Sequence, residues 1–175
     1  MLRLMTALIR FFLDRWLLTA LLSSTLMLAI AHAFETFGGL APCILCLQQR
    51  TVYWVAIGVS AIGLVLHWLP PKTRFDRAFS AILAVVFLVG MGIAIRHAGA
   101  EWKFWPGPAA CAANRVTVTA ADLNAALSGA RLKMPSCEEA AWRFLGISMA
   151  GWNAIISLKL VVWSVLAALG WRPRP

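Results

Sequence analysis

The residues of this chain best suited to chemistry are its four cysteines. Cys43 and Cys46 form a C-x-x-C within Pro42-Cys43-Ile44-Leu45-Cys46-Leu47-Gln48-Gln49-Arg50, while Cys111 and Cys137 stand alone further along. Pro42 suits the first turn of a helix, and an i, i+3 spacing puts both sulfurs on one helical face, close enough to bridge. The free N–H groups of a helix start stabilise a thiolate, the nucleophile of thiol–disulfide exchange. Arg50, four residues after Cys46, lies over the same face. Its permanent charge favours the thiolate and can hold an anionic acceptor oxygen. Two readings compete with redox chemistry. In one, the cysteines are buried structural residues and Arg50 snorkels to a membrane interface. In the other, four sulfurs bind zinc, although Cys111 and Cys137 do not make a second C-x-x-C.

Other polar residues carry weaker signals. Ser136-Cys137-Glu138-Glu139 has a capping-box pattern, which predicts Cys137 in a helix first turn just before the last apolar run. The helix dipole would favour its thiolate and the two glutamates would oppose it; a purely structural disulfide is the plainer alternative. Thr119 and Asp122, followed by Leu123, Ala126, Leu127 and Ala130, predict a short amphipathic helix, lying on the membrane or packed in its own loop. His32 and His97 fall near one end of the apolar runs and His67 near the other, which disfavours the stacked histidine pairs of a two-haem cytochrome. His97 shares an end with the C-x-x-C and can hydrogen-bond a quinone carbonyl. Lys159 sits well inside the last run and has no evident acidic partner.

The elements that must position these groups are membrane helices. The chain is 61% hydrophobic and 13% charged, against roughly 45–50% and about 25% for soluble domains. Four runs approach the ~20 residues that span a bilayer, at about 17–34, 47–69, 78–95 and 145–167. The expected fold is all-α: one integral membrane four-helix bundle, residues 1–175, with loops at about 35–46 and 98–143 on one side. Arg3, Arg10, Arg15, Lys72, Arg74, Arg77, Arg172 and Arg174 crowd the opposite side, against Asp14 and Asp76 alone. The denser positive side faces the cytoplasm, so both termini are expected inside and both cysteine-bearing loops outside, in the oxidising periplasm of a bacterium. Membrane orientation thereby accounts for the net charge of +9 without nucleic acid. Trp16, Trp68, Trp142 and Trp171 fall near run ends, as aromatic belts do. Residues 1–33 also have the layout of a cleaved signal peptide, but the apolar run is long and follows an amphipathic stretch at 4–13, which favours a retained helix.

The combined pattern resembles the DsbB family of quinone-dependent disulfide-generating proteins of bacterial inner membranes. The likeness covers nearly the whole chain. It rests on Pro42-Cys43-Ile44-Leu45-Cys46 with Arg50, on His97 followed by Glu101 and Trp105-Pro106-Gly107-Pro108, on Cys111 and Cys137, and on Trp142-Arg143-Phe144-Leu145-Gly146. The resemblance implies that a reduced periplasmic DsbA-type thioredoxin-fold oxidase attacks a Cys111–Cys137 disulfide, with Cys111 forming the mixed disulfide. Electrons then pass to Cys43–Cys46, through Cys137 and Cys43, and from Cys46 to ubiquinone or menaquinone held near Arg50 and His97. It implies no metal and no haem. A membrane scaffold with structural disulfides and a cytochrome-like electron carrier are the alternative functions.

Overall fold

The structure, a computed structural model, describes residues 2–70, 72–108, 124, 127 and 137–172. It is almost wholly helical: α1 (Leu2–Asp14), α2 (Trp16–Thr36), α3 (Ile44–Leu66), α4 (Lys72–Glu101) and α5 (Met149–Leu169), with a two-stranded hairpin of β1 (Arg143–Phe144) and β2 (Ile147–Ser148) just before α5. Helices α2 to α5 are each long and apolar enough to cross a membrane. The chain runs up and down: α3 packs on both α2 and α4, and α4 packs most extensively on α5. Helix α1 lies against α5 and α2 at the end opposite the C-x-x-C, where Phe12 and Trp16 meet Trp163.

The distribution of residue sizes identifies lipid as the solvent. The inward faces bear small residues, among them Ala20, Ser24, Ala56, Ser60, Ala94, Ala150 and Ser157, which let helix backbones approach. Large apolar residues point outward: Leu22, Leu26, Val65, Val85 and Leu158 are all more than half exposed. In water such a surface would drive aggregation; in hydrocarbon it carries no penalty. A few large groups, Leu83, Phe87 and Leu160 with Trp16 and Leu17, fill the centre.

Helix boundaries differ from the sequence expectation in instructive places. Helix α3 starts at Ile44, with Cys43 as its N-cap, so Pro42 precedes the helix and does not open its first turn. Helix α4 continues to Glu101, six residues beyond the apolar run, because His97 and Glu101 are buried against neighbours. The last crossing begins at Met149 and not near 145, since Leu145 and Gly146 both have positive φ (52° and 79°) and turn the hairpin. The cap of α5 is Ser148, whose Oγ accepts from Gly151 N–H at 3.1 Å. Cys137 is accordingly not in a helix first turn: residues 137–139 form bends, and Ser136 lies outside the described residues. The amphipathic helix expected after Thr119 also lies mostly outside them; of it, Asn124 and Leu127 are helical and exposed.

Candidate functional site: a thiol pair on a buried polar chain

The site begins with a cysteine used as a helix cap. Cys43 is extended (φ −78°, ψ 172°), and its Sγ accepts the Cys46 backbone N–H at 3.3 Å. That bond turns the Cys46 side chain back onto Cys43, and the two sulfurs lie 2.9 Å apart as free thiols. Cys43 is buried and Cys46 half-buried. Hydrogen bonding from the Cys46 thiol, and after it the neighbouring His97, holds the Cys43 thiol well below its ordinary pKa, although burial pushes the other way. Cys43 is therefore the sulfur prepared to act as a thiolate.

His97 comes from the outer end of α4. Its Nε2 lies 3.6 Å from Cys43 Sγ, and its Nδ1 lies 2.9 Å from Gln49 Nε2. An amide nitrogen can only donate, so Nδ1 is the acceptor and the neutral ring carries its proton on Nε2, facing Cys43. Gln49 is itself fixed from below. Asn153 Nδ2 donates to Gln49 Oε1, Tyr53 O–H donates to Asn153 Oδ1, and Ser157 Oγ lies 3.5 Å from the Tyr53 oxygen. Every donor in the run from Tyr53 to His97 points toward the cysteines. The chain thus selects one histidine tautomer, and three helices, α3, α4 and α5, share it.

Two more charged groups complete the surroundings. Glu101, one turn beyond His97, places Oε1 3.7 Å from His97 Nε2, while its buried Oε2 finds no partner among the described residues. Arg50 turns toward α2, where it donates to Glu35 at 2.5 Å and to the Ala31 carbonyl at 3.1 Å. The i, i+4 spacing suggests a cation over the Cys46 face; the structure gives that cation a counter-ion. Arg50 still has guanidinium N–H groups beyond those two for another acceptor.

The second cysteine segment is brought back to this pair by the turn that ends α4. Trp105 folds onto the helix: its Nε1 donates to the Arg96 carbonyl at 2.8 Å, and a Cβ on Gly99 would lie 2.0 Å from its ring. Only glycine lets the indole lie there. Gly107 N–H then donates to Glu138 Oε1 at 2.9 Å, with Lys103 Nζ 3.5 Å from Oε2. These contacts hold the Glu138 carboxyl below the usual carboxylate range, the Gly107 N–H foremost. Adjacent Cys137 is disulfide-bonded, 1% exposed, and packed in one cluster with Cys43, Leu45, Cys46 and Ile93. Cys111 lies outside the described residues.

The structure therefore assembles Cys43, Cys46, His97 and Cys137 at one end of the bundle and sets Arg50 to one side. Gln49, Tyr53, Asn153 and Ser157 join the site, although sequence reading did not single them out. The signal was present as polar pairs at i, i+4 in two apolar runs, on α3 and on α5. His67 stays at the other end, bound to Asp76 at 2.9 Å. Lys159 is exposed on the outer face of α5.

Comparison with known proteins gives the family. The family description "Disulfide bond formation protein DsbB" matches residues 13–167. Among similar proteins, Disulfide bond formation protein B of Pasteurella multocida is 31% identical over 152 residues, covering 85% of this chain and 80% of that protein. The protein of the same name from Acinetobacter baylyi is 31% identical over 149 residues, covering 83% and 86%. That of Aromatoleum aromaticum is 30% identical over 129 residues, covering 73% and 75%. No solved structure matches the chain. A multi-pass membrane bundle presenting a capped thiol pair beside a third, disulfide-bonded cysteine thus belongs to the DsbB family of disulfide bond formation proteins.

Proposed function

We propose that this protein reoxidises a periplasmic DsbA-type thioredoxin-fold oxidase and passes the electrons through two cysteine pairs to a quinone of the bacterial inner membrane, its termini lying in the cytoplasm. The observation that carries the reading is the burial of disulfide-bonded Cys137 in one cluster with the free pair Cys43 and Cys46. Thiol–disulfide exchange needs a thiolate and a reachable sulfur, and here a thiol of lowered pKa shares a pocket with a disulfide.

In this reading Cys111 is the partner of Cys137 and the point of entry. The oxidase thiolate attacks Cys111, and Cys137 is released as a thiolate. Cys137 attacks an oxidised Cys43–Cys46 bond at Cys43, and Cys46 leaves. The oxidase's second thiolate then attacks its own sulfur in the mixed disulfide, so the oxidised partner departs and Cys111 is freed as a thiolate; Cys111 attacks Cys137, Cys43 leaves, and both electrons rest on the Cys43–Cys46 dithiol. His97 Nε2–H donates to the Cys43 sulfur and makes it the better leaving group; the Gln49–Asn153–Tyr53 chain holds the ring in that tautomer. As the pair closes to a disulfide, its two electrons and two protons would go to a quinone bound beside it. Half-buried Cys46 and the remaining donors of Arg50 fit a carbonyl acceptor at the bilayer surface. Ubiquinone and menaquinone both meet that description.

The test mixes purified protein with a reduced DsbA-type protein and a ubiquinone analogue and follows quinone absorbance. Wild type should consume quinone as oxidised partner appears. The Cys111→Ser variant should lose oxidation of the partner yet still reduce quinone when supplied with a small dithiol. Partner oxidation at the wild-type rate by Cys111→Ser would remove that cysteine from the relay. Cysteines that stay oxidised throughout turnover would leave only a structural role.

A further inference from the structure

The reduced thiol pair does not stand alone. Cys43 Sγ, Cys46 Sγ and a His97 ring nitrogen all lie within 4.8 Å of one another. In a tetrahedral zinc site, with Zn–S about 2.3 Å and Zn–N about 2.0 Å, a sulfur and a nitrogen are separated by about 3.5 Å. Cys43 Sγ and His97 Nε2 are 3.6 Å apart. The two sulfurs, at 2.9 Å, need only open toward about 3.8 Å, a side-chain rotation at a C-x-x-C whose spacing is that of a zinc half-site. Glu101 stands next to this group of three and a side-chain rotation would bring it in as the fourth ligand: its side chain is 95% buried, Oε1 lies 3.7 Å from His97 Nε2, and Oε2 has no partner among the described residues. A buried carboxylate oxygen left without a donor is costly in a protein interior, and a cation beside it removes that cost.

We propose that the reduced protein binds one zinc ion through Cys43, Cys46, His97 and Glu101, and that the ion holds the pair in its dithiolate form and stops electron flow. The zinc envisaged by sequence reading, on four sulfurs, is replaced by a mixed site with two sulfurs, one nitrogen and one oxygen. Such a set suits zinc: borderline-soft, tetrahedral and without redox chemistry of its own. Binding releases the thiol protons still present to solvent, and no electrons move. Nε2 must be unprotonated to ligate, so the histidine proton moves to Nδ1. Flipping the amides of Gln49 and Asn153 then gives Nδ1–H a carbonyl acceptor, the usual outer partner of a zinc-bound histidine. Arg50, the nearby cation, is already neutralised by Glu35. In the oxidised pair both sulfurs are spent on each other, so the site exists in one redox state only. The block on turnover rests on the proposed electron path; the binding itself rests on the four side chains.

Cobalt(II), as a spectroscopic stand-in for zinc, separates the two. The full-length Cys111→Ala/Cys137→Ala variant leaves Cys43 and Cys46 as the sole cysteines. Reduced with a phosphine, it should bind one equivalent of cobalt with thiolate-to-cobalt charge-transfer absorption and tetrahedral bands, both removed by zinc. The disulfide form should show neither. Adding Glu101→Gln should weaken binding by about tenfold or more. Zinc should stop wild-type quinone reduction driven by reduced partner, and a chelator should restore it. Absence of charge-transfer absorption in the reduced form overturns the site, as does equal binding by both redox forms or unchanged affinity with Glu101→Gln. Cobalt binding with undiminished quinone turnover in zinc overturns the block. If metal-free wild-type protein fails to reduce quinone while cobalt binding persists, the electron path falls and the metal site stands.

Discussion

The two ends of the bundle solve the problem of polar groups in a membrane protein differently. At the cysteine end, Gln49, Tyr53, His97, Asn153 and Ser157 are buried and joined into one hydrogen-bonded chain. At the other end, Asp14 with Arg172 and His67 with Asp76 form separate, partly exposed pairs around a cavity that also reaches Trp16, Leu17 and Leu64. A buried chain has no solvent to repair it, so each member depends on the next. An exposed pair loses little when broken, because water takes the vacated place. Polar groups at the first end therefore fix positions, whereas those at the second end decorate a fold held by apolar packing.

Asn153→Ala should give the largest contrast. It removes the middle link, leaving Gln49 Oε1 without its donor and Tyr53 O–H with only the Ser157 hydroxyl at 3.5 Å. An unmade buried hydrogen bond costs about 1–3 kcal/mol, so thermal unfolding in detergent should shift down clearly. With the His97 tautomer released, quinone reduction should slow by about tenfold. Wild-type turnover with wild-type stability would show that the chain does not govern the site.

Arg50 comes next. Arg50→Ala should raise the KM for a quinone analogue by about tenfold while single-turnover exchange with the protein partner stays near wild type. Arg50→Lys should lie between, since it keeps the charge and loses the planar fork. Glu35 sharpens this: Glu35→Gln removes the counter-ion and should lower the KM. Unchanged quinone kinetics beside reduced membrane yield would reassign Arg50 as an interface anchor.

Glu138 should have a smaller, pH-dependent effect. Its folded-state pKa is depressed, so the tie to Gly107 and Lys103 is fully present above the ordinary carboxylate pKa and is lost as pH falls through the lowered value. Glu138→Gln should speed proteolysis near residues 103–108 at neutral pH, and wild type should approach that rate only in acid. A wild-type cleavage rate for the variant at neutral pH would show that this carboxyl does not fasten the turn. The smallest effect belongs to Asp14→Ala at the opposite end: under about 1 kcal/mol in stability and no change in turnover. A loss of turnover there would mean that the two ends are coupled.

How much of this was legible in the sequence follows from the range of the interactions. The four crossings could be read because lipid imposes length and apolarity on each segment separately. The pairing of Cys43 with Cys46 was visible for the same reason: it is local to one turn. The placement of Pro42 before the cap was not, because nothing in its type distinguishes a first turn from the residue preceding a capping sulfur. Likewise, the capping-box pattern at Ser136 could not reveal that Glu138 spends its carboxylate on Gly107, 31 residues earlier. The meeting of Arg50 with Glu35 was not legible, because Glu35 lies on another helix and helix rotation decides whether the two approach. The pairs Gln49/Tyr53 and Asn153/Ser157 are the clue to the chain that the sequence does hold. Matching polar steps of four on two apolar helices signal faces that seek each other.

The cap of α3 has one more consequence. In the proposed relay, the atom that fastens the first turn of this helix is the atom that exchanges bonds. A thiolate accepts the Cys46 amide strongly, whereas a disulfide sulfur is a poor acceptor. Each oxidation thus weakens the clasp at the head of α3, and each reduction restores it. The Cys46 amide proton becomes a gauge of electron occupancy, slow to exchange with solvent deuterium in the reduced protein and faster in the oxidised one. A partner touching this end would meet a firmer or looser helix tip according to whether the pair is loaded, so the fold itself can announce its redox state.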